Sequence, residues 1–116
     1  MQIAKFKGQE IPVVFNFYVL RMFGKAVGED LPSGAIEKLM KIGKDNSFEV
    51  MDISANFFFE MVKAAAEIKG IAVPITLAEA YDIMREDEAM SAMSAEISEF
   101  WPDPVTLKKN KAVKEE

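Results

Sequence analysis

The side chains that most often carry catalysis near neutral pH are missing from this sequence, which contains no histidine and no cysteine. Their absence excludes a histidine general base, a Cys-His pair, a Ser-His-Asp triad, a thiolate metal site and any disulfide framework. Lysine or carboxylate chemistry needs two groups converging on one cleft, and periodicity places no such pair on a shared apolar face. Asp45 to Asp52 has the look of a calcium loop, but it lacks the glycine at the sixth position and the closing glutamate. Glu86-Asp87-Glu88 reads as a solvated helix junction. Gly24-Lys25-Ala26 lacks the upstream glycine and following hydroxyl of a phosphate-binding loop. The expectation is a protein that is not an enzyme, with no cofactor and no bound metal.

Charge and apolar supply are more informative. Residues 71–104 set Arg85 alone against Glu79, Asp82, Glu86, Asp87, Glu88, Glu96, Glu99 and Asp103, a local charge of −7. Such a surface repels nucleic-acid phosphates. The chain also holds eight methionines and nine phenylalanines in 116 residues. Methionine-rich surfaces suit helical partners of loosely specified sequence. Phe57, Phe58 and Met61 read as core; Met90, Met93 and Trp101 divide evenly between core and contact surface. No window approaches the ~20 apolar residues of a membrane span, so a cytoplasmic protein without membrane contact is expected.

The elements that must position these residues make a mainly α domain: a small bundle of four to five helices behind a short N-terminal β-hairpin. Ile3 to Phe6 and Ile11 to Val14 are the strands, joined by Lys7-Gly8-Gln9-Glu10, with Pro12 suited only to an edge. Asn16 caps a helix running to Val27, with Phe15 and Leu20 as a hydrophobic staple and Gly28 as its stop. Its packed stripe is Phe17, Leu20, Gly24 and Val27, with Val19 and Phe23 beside it. Ser33 opens a short helix through Ile42 with Ile36, Leu39 and Met40 inward.

Ile53 to Lys69, capped by Asp52 or Ser54 and ended by Gly70, is apolar on all but the narrow stripe of Asn56, Glu60, Lys63 and Glu67. That pattern predicts a central helix. Thr76 and Glu79 form a capping box for a helix with Leu77, Ala80, Tyr81 and Met84 inward. After a break at Arg85-Glu86-Asp87, a last helix aligns Met90, Met93, Ile97, Phe100 and Trp101 before Pro102 and Pro104 end the order. Residues 1–104 form one domain, and 105–116 read as a disordered, charged tail. Tyr81, Met84, Met90, Met93, Ile97, Phe100 and Trp101 are the expected partner-binding residues.

Laid end to end, the hairpin with its Lys-Gly-Gln turn, Phe15-Asn16-Phe17-Tyr18-Val19-Leu20-Arg21-Met22-Phe23, the Asp52-Ile53-Ser54 opening of a long alanine-rich helix and the Ile75-Thr76-Leu77-Ala78-Glu79-Ala80 opening of the next resemble the tail assembly chaperones of long-tailed bacteriophages and prophages. The resemblance spans about residues 1–101. It implies a non-enzymatic helical chaperone that coats the tape measure protein, oligomerises along it and yields to the tail tube. It also implies a frameshifted longer product starting near the lysine-rich tail. The expected mechanism is reversible masking of a client's apolar helices, at about 25 cal/mol per Å² removed from water. An acidic inhibitor or immunity-type protein that blocks a basic nuclease or DNA-binding surface is the alternative, and a structural tail subunit a third reading.

Overall fold

The computed structural model describes residues 1–100. The expected tail at 105–116, and Trp101, lie outside the described residues. Among the described residues the architecture is mainly α, with five helices and a two-stranded antiparallel hairpin.

Strands β1 (Gln2–Phe6) and β2 (Gln9–Val13) pair with Phe6 opposite Gln9. The turn is therefore only Lys7-Gly8, tighter than the sequence suggests. Lys7 (φ 50°) and Gly8 (φ 79°) are both left-handed, the conformation of a type I′ turn whose twist matches that of the strands. Pairs alternate between bonded and non-bonded rungs from the turn outward, so Pro12, opposite Ile3, falls on a rung that needs no N–H. Its place in the strand thus forfeits no ladder bond.

Helix α1 (Phe17–Val27) begins where Asn16 Oδ1 accepts the Val19 N–H at 2.9 Å and ends at left-handed Gly28. Helix α2 (Pro32–Leu39) starts at proline rather than after Ser33, because a proline at the first helical position has no N–H to leave unsatisfied. It also stops short of Ile42, which leaves Met40, expected inward, at the C-cap and exposed. Helix α3 (Phe48–Lys69) starts five residues before the expected Ile53. Ser47 is its cap, accepting the Val50 N–H at 3.2 Å, while Ser54 is interior and donates its hydroxyl proton to the Val50 carbonyl at 2.9 Å. Serine serves either role, and the added turn prevails.

Helix α4 (Leu77–Ile83) carries the expected capping box between Thr76 and Glu79. Helix α5 (Asp87–Phe100) follows a short break. The central position expected of α3 is observed: it packs on α1, α4 and β2, and Phe57, Phe58, Met61, Val62 and Ala65 are sealed from solvent. The hairpin lies between two helices, with β2 on α3 and β1 on α5. Two isolated strands would be marginal in water, and this sandwich supplies the apolar cover they require.

Candidate functional site

The face of α5 expected to meet a partner is turned inward. Met93 is 2% exposed, and Met90, Ile97 and Phe100 are partly buried against the core. Phe100 sets its ring edge-to-face against Phe15 (centroids 4.9 Å) and Phe17 (5.1 Å). Ala89 and Ala92 are also buried, and side chains that small permit the close approach of α5 to β1. The covering of this face has a physical cause: the hairpin needs an apolar lid, and α5 supplies it. Met93 therefore presents no surface to a partner in the folded state.

Tyr81 on α4 and Met84 at its C-cap are half-buried in the same core. The Tyr81 hydroxyl donates to Asp52 Oδ1 at 2.8 Å, tying α4 to α3. That hydrogen bond first, and burial second, hold the phenol pKa above its ordinary value. Leu77, expected inward, is exposed, and Ile83 is fully buried in its place. A seven-residue helix has only two turns to commit, and these centre on Ala80 and Ile83.

Large apolar side chains surface elsewhere. Phe17, expected in the packed stripe of α1, is 67% exposed, as is Leu31. Between them, α1 and α2 enclose a groove of about 250 Å³, walled by Phe17, Leu20, Leu31 and Pro32, floored by Gly24 and Ala35, and edged by Arg21, Glu29 and Asp30. Local chemistry shapes it. Left-handed Gly28 reverses the chain so that the Glu29 N–H donates to the Gly24 carbonyl at 2.7 Å. The extended backbone of Leu31, which precedes Pro32, leaves its side chain in solvent. No spacing signal marks this groove, because it arises where a glycine stop, an X-Pro step and two small residues coincide.

Other exposed apolar groups lie where α3 outruns its neighbours: Phe48 (83% exposed) at its start and Ile68 near its end. Polar positions also depart from the simple pattern. Glu60, on the expected polar stripe, is buried and paired with Lys63 at 3.1 Å.

The acidic stretch is divided in space. Glu96 is an internal group at 3% exposure; its Oε1 accepts the Phe15 N–H at 3.1 Å, and its Oε2 lies 3.4 Å from the Met1 ammonium. Glu86, Asp87 and Glu88 share an open groove with Lys5 and Lys7 of the hairpin, so opposite charges there face one another. Among the described residues, no group of three or more acidic side chains is placed to hold a metal ion, and no helix is long and apolar enough to cross a membrane.

No protein-family model matches this chain, and comparison with curated proteins and with solved structures found no match.

Proposed function

We propose that this protein is a phage tail assembly chaperone that acts without catalysis, binding apolar helices of the tape measure protein and shielding them in the bacterial cytoplasm until the tail tube forms. The observation that carries the reading is the exposure of Phe17 and Leu31, two large apolar side chains flanking one groove on a helical surface. Two large apolar side chains left in solvent beside one groove on a small helical protein support protein–protein contact. The net charge of −5 on the whole chain helps to keep a complex with an apolar client in solution. The order of capped elements that resembles the chaperone family adds its weight.

The test is co-expression with the adjacent large open reading frame richest in coiled-coil helices, followed by size-exclusion chromatography with light scattering. Co-elution of several copies with a client that is insoluble alone is the expected result, and the complex should hold as salt rises, because apolar burial is not screened. A client that is soluble alone, or a sharp monomer with no co-elution, overturns the reading. A complex that dissolves at high salt points instead to an electrostatic inhibitor.

A further inference from the structure

We propose that the α1–α2 groove is the seat of one client helix, and that it selects a helix whose apolar anchor is flanked by lysine or arginine. The proposal rests on the chaperone reading and adds to it the site and the chemistry of the partner. Size is the first argument. At about 250 Å³ the groove lies below the range of roughly 300–1,000 Å³ typical of small-molecule sites. Its scale suits a single large side chain projecting from a helix laid along the surface.

Shape is the second argument. Gly24 has no side chain, so the Glu29 carbonyl and Ala35 close directly on α1 and make a shallow floor, while Phe17 and Leu31 stand on either side as exposed walls. Charge is the third. Glu29 and Asp30 sit together at the loop end of the groove and have no ion-pair partner among the described residues; Arg21 is the only base at the rim. The loop that carries them is fixed, because the Glu29 N–H donates to the Gly24 carbonyl, and the Glu29 carboxylate itself lies over the first turn of α2 beside Gly34. A base beside the anchor meets this pair, whereas an acid there is repelled, and charge of this kind decides between partners more than it adds affinity.

The test uses the full chain and two synthetic helical peptides with the same leucine stripe, one flanked by lysines and one by glutamates. Binding is read by fluorescence anisotropy. The lysine-flanked peptide should bind about tenfold or more tighter at low salt, and Leu31→Asp and Phe17→Asp should each weaken it by about tenfold. Met40→Asp, exposed at the far end of α2, should leave binding unchanged, and unaltered melting curves show that the variants fold. Equal binding of the two peptides, binding indifferent to Leu31→Asp, or no binding of either overturns the proposal. So does a free protein that is oligomeric and becomes monomeric on Leu31→Asp, since the groove then serves a second copy. Client co-elution that survives Leu31→Asp leaves the chaperone reading standing while the groove falls; a client that never co-elutes with the unaltered chain removes the reading itself.

Discussion

The backbone N–H of Phe15 donates to Glu96 Oε1 at 3.1 Å, joining the β2–α1 junction to α5 across 81 residues of chain. The carboxylate is buried, and its other oxygen lies against the Met1 ammonium. Removing it strands a buried donor and leaves a cavity. Glu96→Ala should therefore cost about 2–4 kcal/mol in urea unfolding. Glu96→Gln keeps an acceptor for Phe15 and should cost about 1–2 kcal/mol. Equal losses for both would show that the bond to Phe15 contributes nothing.

Two glycines in helices should respond in opposite senses to alanine, although propensity alone favours both changes by about 1 kcal/mol. A Cβ on Gly24 would sit 2.9 Å from the Glu29 carbonyl oxygen, backbone that cannot move without reopening the turn at Gly28. The nearest atoms that a Cβ on Gly34 meets all belong to the Glu29 side chain, whose flexible end can swing aside. Gly24→Ala should destabilise by about 1–3 kcal/mol, and Gly34→Ala should be neutral or stabilising. Thermal melts of the two variants decide the matter.

The hairpin turn offers a stabilising change. Lys7 occupies the left-handed region at φ 50°, where asparagine is favoured, ahead of Gly8. Lys7→Asn should raise stability by about 0.5 kcal/mol, and Gly8→Ala should lower it by about 1–2 kcal/mol. The lysine substitution also forfeits the contact of its ammonium with the Phe6 ring, so a gain smaller than this measures that contact.

Tyr81 gives the fold an alkaline signature. Its pKa lies above the ordinary 10.0, chiefly because its hydroxyl donates to Asp52. The folded state thus holds the phenol proton more tightly than the unfolded chain does. The resulting stability is fully present below the unfolded pKa and is lost as pH rises through the folded value. Relative to Tyr81→Phe, the unaltered protein should be more stable at neutral pH, and that advantage should shrink above pH 10. Ultraviolet absorbance should show one of the two tyrosines, Tyr81, ionising late; if Tyr81→Phe removes an early-titrating group instead, the assignment fails.

Met93 tests the role of α5. With the side chain buried, Met93→Ala should cost about 2–4 kcal/mol. Any loss of client binding should then track unfolding, and be restored under conditions that restore the fold. A folded Met93→Ala protein that cannot bind would place a contact surface on this helix.

Element identity was legible in the chain because caps are local chemistry. Asn16, Gly28, the Thr76–Glu79 box and Gly70 satisfy or end helices through partners within four residues, so α1 and α4 begin and α3 ends where those residues predict. Where several nearby groups can serve as a cap, as with Ser47, Asp52 and Ser54, the pattern alone favours a later start and misses the first turn of α3.

Orientation was not legible in the same way. The stripe of Met90, Met93, Ile97 and Phe100 is amphipathic whether it meets a client or the hairpin, and its pattern carries no name for its partner. Composition and periodicity are enough to specify a mainly helical, cysteine-free and histidine-free chain with a central α3 and an acidic second half. Long-range packing sets the rest: α5 lays its apolar face on β1, Glu96 lies inside, and Phe17 and Leu31 stand in solvent beside a groove. The reason is that periodicity encodes which residues share a face, while the burial of that face depends on contacts between segments far apart in the chain.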